Sequence, residues 1–288
     1  MTRTLILHCG PMKTGSTAIQ DTLEINKKKL LNSGISYYHI RAKTLLHDLE
    51  KAISREKNSK NKIILLSSEF FCQTNPKSLQ QILQPFKGNC HAILVSRPLS
   101  EIYPSLYLQN LKGSSRRITS FKYFLDRQII SDLAPEKKLG GQLMNFPALD
   151  ARLSAAGCRT HWIKYSRKNL LLAFSTSLEK IIGIPLDYLV GTKTRKPEGL
   201  SPRRSLRMEL AGIARAINYL NRLNLLSDHL REILLIILLN TSDLLNQTLR
   251  NRPSLNRRQV ERCNAVDRTT NEPFLKSHRF GILKEQQH

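Results

Sequence analysis

Five short apolar runs, separated by helical patterns, constrain this chain more than any other feature. They are Thr4 to Cys9 (TLILHC), Ile35 to His39 (ISYYH), Ile63 to Ser67 (IILLS), His91 to Ser96 (HAILVS) and Thr160 to Lys164 (THWIK). Runs of this kind, with β-branched residues and turn-like ends, are what parallel strands covered on both faces require. The helical patterns are Gly15 to Leu31, Pro76 to Phe86, Leu99 to Leu111, Ser120 to Ile130 and Phe146 to Ala156. Strand alternating with helix predicts an α/β fold, a doubly wound parallel sheet. After Lys164 the strand signal fades. Helices are expected at Thr176 to Gly183, Pro202 to Asn221, Ser227 to Leu249 and Asn256 to Leu275. The expectation is one domain over residues 1–288, with an α/β core at 1–170 and a mainly helical section at 171–288. Residues 112–117 (KGSSRR) read as a basic loop, and 192–199 (TKTRKPEG) as a polar connector.

The first strand runs into a glycine loop and then a helix, in LHCGPMKTGSTAIQ from Leu7 to Gln20. Glycines after a strand let backbone N–H groups turn toward an anion, and the helix N-terminus adds its positive end. Gly10 and Gly15 have the glycine spacing of a Walker A loop. That loop places its lysine after the second glycine, whereas here Lys13 precedes Gly15 and Ser16-Thr17 follow it. A lysine inside the loop points over its mouth, beside the leaving group of a bound phosphate compound.

GPMKTGSTAIQ resembles the 5′-phosphosulfate loop of sulfotransferases that use 3′-phosphoadenosine-5′-phosphosulfate (PAPS), most of all the bacterial, carbohydrate-sulfotransferase-like branch. The resemblance implies a P-loop-like core and a PAPS co-substrate with no metal. Lys13 would contact the oxygen bridging phosphate and sulfonate, and Thr14, Gly15, Ser16 and Thr17 would hold the 5′-phosphate. The family binds the 3′-phosphate with an Arg at the end of a later strand and a Ser eight residues on. ILVSRPLSEIYPSLYLQN supplies Arg97 and Ser105 at that spacing. Arg offers a fixed fork of donors suited to phosphate. Pro104 fits the first turn of a helix, which would place the helix start near Ser100. The resemblance covers the first 170 residues best, where Tyr165 or Arg167 would border the cofactor. No counterpart of the Arg-Lys-Gly element of the small-molecule sulfotransferases is present.

Sulfonyl transfer needs charge stabilisation and a base for the acceptor hydroxyl. Lys13 supplies the charge. Glu69, just past the strand Ile63 to Ser67, is the candidate base, against the alternative that it caps or pairs locally. His39, at a strand end, is the alternative base. His91 lies at the amino end of its strand, and His8 reads as a satisfied core histidine.

The formal net charge of +24 implies attraction to something anionic, whether a glycan, the cofactor, nucleic acid or a lipid surface. Two other functions compete: a kinase or NTPase with a deviant loop, which needs a metal-binding Asp at a strand end, and a basic nucleic-acid-binding protein. Only 6% of residues are aromatic, which gives stacking on bases little support. The expected acceptor is a hydroxyl on a glycan or glycolipid. Five scattered cysteines and an apolar opening too short for a signal core predict a cytoplasmic protein. The run Ile233 to Leu239 reads as a buried helix, too short to span a bilayer. Peripheral membrane contact is left open.

Overall fold

The structure is a computed structural model, and it describes residues 3–40, 45–56, 61–71, 74–112, 119–134, 144–191, 210–248 and 255–277. The chain divides into two compact units. The first holds residues 1–97, 142–194 and 267–288, and the second holds 98–141 and 195–266.

The first unit is built on a five-stranded, wholly parallel sheet, β1 (Thr4–His8), β2 (Ile35–His39), β3 (Ile63–Ser67), β4 (Cys90–Ser96) and β5 (Arg159–Lys164), in the order β2-β3-β1-β4-β5. All five apolar runs form strands. Leu5, Ile6 and Leu7 are fully buried, as are Ile64 to Leu66 and Ala92 to Val95. Burial on both faces is why these runs are continuous rather than alternating. One face packs against α1 (Ser16–Ile25), α2 (Lys27–Asn32) and, later in the chain, the helix Leu170–Ile182 through Ile19, Leu23, Leu30, Phe174 and Leu178. The other packs against α3 (Leu45–Glu56), α4 (Pro76–Leu83) and the helix Phe146–Ala155, through Leu49, Ile53, Leu79, Leu83, Leu149 and Leu153.

The second unit contains α5 (Leu99–Lys112) and α6 (Phe121–Leu133). The chain then returns to the first unit with α7 (Phe146–Ala155) and α8 (Leu170–Ile182). It supplies α9 (Ala211–Arg222), α10 (Asp228–Thr248) and α11 (Arg257–Val266) to the second, and ends its described part with α12 (Glu272–Ser277). Within the second unit Tyr103 Oη donates to buried Asp132 at 2.6 Å, and Arg262 pairs with Asp126 at 2.6 Å.

Several helix limits differ from the sequence reading. The helix expected from Gly15 to Leu31 breaks at Asn26, whose backbone turns to φ −94° and ψ 12° while its N–H and its side-chain amide both donate to the Thr22 carbonyl, at 3.1 and 2.9 Å. α3 lies outside the helices expected from the sequence. α8 starts at Leu170 rather than Thr176, because Leu170, Phe174 and Leu178 form one buried stripe. The expected helix Asn256 to Leu275 is interrupted by a π turn at Asp267–Asn271, where Asn271 Nδ2 donates to Asp267 Oδ1 at 2.9 Å and its Oδ1 accepts from Phe146 N. α5 begins at Leu99 and continues through Pro104, which lies inside it rather than in its first turn. Residues 113–117 of the basic loop, the connector 192–199, the helix start at Pro202 and Cys72 lie outside the described residues. The four described cysteines are buried free thiols, with the Cys90 and Cys158 sulfurs 3.0 Å apart.

Candidate functional site

Because all five strands are parallel, their carboxyl ends share one edge of the sheet. In open α/β sheets the ligand crevice lies there. β1 ends at His8, and the loop to α1 is anchored at its start by Cys9 N donating to Ile93 O on β4 at 2.9 Å. Across the loop Thr14 Oγ1 donates to Pro11 O at 2.6 Å. Two residues take left-handed backbone angles, Lys13 at φ 69° and Gly15 at φ 91°. For lysine this conformation costs about 1–2 kcal/mol, and strain of that kind concentrates at ligand clamps.

Arg97, just past β4, holds the strained residue in place. Its Nη1 donates to the Lys13 carbonyl at 2.7 Å, and its guanidinium lies 4.5 Å from the centre of the Tyr165 ring. Tyr165 follows β5 and is fixed there by its N–H donating to Ser96 O at 2.7 Å. The far side of the loop closes on the same tyrosine. A Cβ on Gly15 would come 3.1 Å from Tyr165 Cε2 and 2.4 Å from Leu170 Cδ2, so only glycine fits. The ends of β1, β4 and β5 are thereby tied together around the loop.

A buried polar network forms the floor of the loop. Gln20 Nε2 donates to Ser67 Oγ at 3.2 Å, and Ser67 Oγ lies 2.8 Å from His8 Nδ1. The network is satisfied when the Ser67 proton goes to Nδ1, which assigns the histidine hydrogen to Nε2. Nε2 and the Ser16 hydroxyl are buried without a hydrogen-bond partner in the protein. Both lie beside Gly10, where a Cβ would meet Ser16 Oγ at 2.6 Å and His8 Nε2 at 3.2 Å. Burial, helped by the charge of His39, pushes the His8 pKa down to about 3, so the ring is a neutral donor.

The first turn of α1 has no side-chain cap and no acidic residue. Its positive end therefore faces the loop without an internal counter-charge. An uncapped helix start and two buried unpartnered polar atoms, in the loop that carries Lys13, together make a site suited to an anion.

The other expected residues distribute as follows. Thr14 and Ser16 are buried, whereas Gly15 and Thr17 are half-buried at the start of α1. Glu69 is half-buried, two residues past β3, the strand adjacent to β1. Ser68 N donates to His8 O at 3.1 Å, so the Glu69 segment leaves the sheet beside the loop. His39 is exposed at the end of edge strand β2, two strands from β1 and hence about 10 Å away. His91 is at the amino end of β4, its Nδ1 2.9 Å from His161 Nε2. Arg167 is exposed. Ser105 is half-buried on α5, in the second unit.

The sequence reading treated His8 as a satisfied core residue, but only one of its nitrogens is satisfied. Ser67 was not singled out, and Gln20 entered only through the loop resemblance. A signal existed: in STAIQDTLEI the buried face carries Ile19 and Leu23, yet Ser16 and Gln20 occupy the same face one turn apart. Polar residues on a buried helix face require partners. The chain matches no protein-family model, and no curated protein matches it.

Proposed function

We propose that this chain is a sulfotransferase that moves a sulfonyl group from PAPS to a hydroxyl acceptor, on a carbohydrate or glycolipid. One observation carries the reading. The loop after β1 ends in an uncapped helix start floored by two buried, unpartnered polar atoms, His8 Nε2 and Ser16 Oγ, with Lys13 pinned by Arg97. That set fits a phosphate ester, in a loop of P-loop-like form whose lysine has moved to the front. A guanidinium has five donors, so the bond to Lys13 leaves capacity for a phosphate as well.

PAPS, when bound, supplies the activated sulfonate. The backbone and hydroxyls of Thr14 to Thr17 hold the 5′-phosphate, and Arg97 binds the 3′-phosphate. Lys13 stabilises the charge that grows on the bridging oxygen as its bond to sulfur breaks. Glu69 accepts the proton of the acceptor hydroxyl as the new oxygen–sulfur bond forms. A kinase or NTPase would instead need a metal held by acidic groups.

The test is incubation with sulfur-labelled PAPS and a panel of glycans and glycolipids in the presence of a chelator. Transfer of label, lost in Lys13→Ala, is expected. No transfer to any acceptor, together with magnesium-dependent hydrolysis of ATP, would favour the kinase or NTPase reading.

A further inference from the structure

The first unit brings two cysteines together at the edge of its sheet. β4 pairs with β5 in parallel, with His91 opposite Arg159, so Cys90 and Cys158 face each other one residue earlier. Neighbouring strands lie about 4.8 Å apart, and a disulfide joins residues whose Cα atoms are about 4.4–6.8 Å apart. Both side chains enter the same apolar cluster on one face of the sheet. Their sulfurs are 3.0 Å apart and share one weak S–H hydrogen bond. An approach of about 1 Å more would reach the bond length of a disulfide. Each cysteine also follows a turn built on a left-handed glycine, Gly88 at φ 84° and Gly157 at φ 90°. No atom lies within 4 Å of where the Cβ of either glycine would be, so the backbone has room to close the gap.

β5 is an edge strand, held to the sheet by β4 alone. The two cysteines are 68 residues apart, and between them the chain leaves the first unit at Pro98 and returns at Gln142. A cross-link there closes the whole excursion into one loop and ties the edge strand down. In the folded chain both thiols are buried, Cys90 at 1% and Cys158 at 5% exposure. The hydrogen bond to Cys158, with burial, pushes the Cys90 thiol pKa up. Thiolate attack therefore belongs to the folding chain, or to moments when β5 opens, and the finished bond is shielded from reductants. We propose that Cys90 and Cys158 form a disulfide by exchange with a low-molecular-weight disulfide such as oxidised glutathione, locking β5 to β4. One cysteine thiolate attacks the small disulfide, expels one small thiolate and becomes a mixed disulfide. The second cysteine thiolate attacks the protein sulfur of that mixed disulfide and expels the other small thiolate. Two protein thiols are oxidised, one small disulfide is reduced, and the two protons pass to the two small thiols. The inference stands independently of the sulfotransferase reading.

To test it, the reduced full chain is equilibrated with oxidised and reduced glutathione in dilute urea, which lets β5 open. It is then alkylated, digested without reductant and mapped by mass spectrometry. Two fewer alkylated thiols than the chain's five cysteines are expected, with one linked peptide pair that joins Cys90 to Cys158. After the urea is removed, oxidation should raise Tm by about 3–7 °C and slow hydrogen exchange in β5. Cys158→Ser should show no such rise with glutathione. Should that variant not fold, the oxidised and reduced forms of the unaltered chain decide the matter by themselves. Cys90 and Cys158 still alkylated after equilibration, or joined to other cysteines, would overturn the proposal. So would a Cys90–Cys158 bond that leaves Tm unchanged or lowers it, because such a bond would not lock the strand.

Discussion

Replacing Arg97 by alanine separates two roles that the structure and the proposed function give the same side chain. In the free protein the guanidinium donates to the Lys13 carbonyl at 2.7 Å and stacks 4.5 Å above Tyr165. A hydrogen bond from a charged donor contributes about 1.5–3 kcal/mol, and a half-exposed cation–π contact about 0.5–1 kcal/mol. Arg97→Ala should therefore destabilise the unliganded chain by about 2–4 kcal/mol, or about 3–7 °C in Tm. The proposed contact to the 3′-phosphate adds a separate loss. The Kd for 3′-phosphoadenosine-5′-phosphate should rise about 10- to 150-fold, the equivalent of another charged hydrogen bond. Tyr165→Leu is the control. It removes the stacking and should lower Tm by a few degrees while changing the Kd only a few-fold. Thermal unfolding without ligand and calorimetric titration with ligand read the two effects apart. A lowered Tm with unchanged Kd would leave Arg97 as a loop clamp and remove it from the 3′-phosphate site. An unchanged Tm would refute the clamp.

Further outcomes follow from other residues. Lys13→Gly should lower turnover steeply yet preserve or raise Tm, because glycine relieves the left-handed cost at φ 69° of about 1–2 kcal/mol; a marked loss of Tm would show that no strain is stored there. Glu69→Gln should cut turnover about a hundredfold with little change in ligand affinity, and near-normal turnover would pass the role of base to His39. His8 makes the fold acid-sensitive. Its folded pKa, about 3, lies below the ordinary 6.5, so the unfolded chain binds the extra proton first. Its contribution is complete above about pH 6.5 and falls toward pH 3 by up to about 1.4 kcal/mol per unit. Urea midpoints at pH 7 and pH 5 should differ less in His8→Asn than in the unaltered chain; equal differences would contradict the assignment.

The sheet was legible because burial on both faces writes itself as unbroken apolar runs, and Leu5 to Leu7 or Ala92 to Val95 have no polar interruption. α3 was harder to see. Its buried stripe, Leu45, Leu49, Ala52 and Ile53, keeps the helical period but is short and set among charged residues, and it ends on Glu56, which accepts a hydrogen bond from Tyr38 Oη. The break at Asn26 is a turn of its own backbone to φ −94° and ψ 12°, which no periodicity reveals. The loop itself was legible from its glycines and lysine. Its floor was not, because His8, Ser67 and Gln20 meet only once β3 pairs with β1. Nor was the clamp, since 84 residues separate Arg97 from Lys13. The run Ile233 to Leu239 read as a buried helix, but only Leu235 and Leu238 of it are buried, while Ile233, Ile236 and Ile237 face outward. Counting apolar residues identified the helix and missed which side of it the fold covers.

Calorimetric titration with 3′-phosphoadenosine-5′-phosphate, in chelator and without magnesium, tests the central claim most directly. The account predicts saturable binding at one site, weakened at least tenfold when the 3′-phosphate is absent, as in adenosine 5′-phosphate, and weakened again in Arg97→Ala. Binding that requires magnesium, or that ignores the 3′-phosphate, would contradict it.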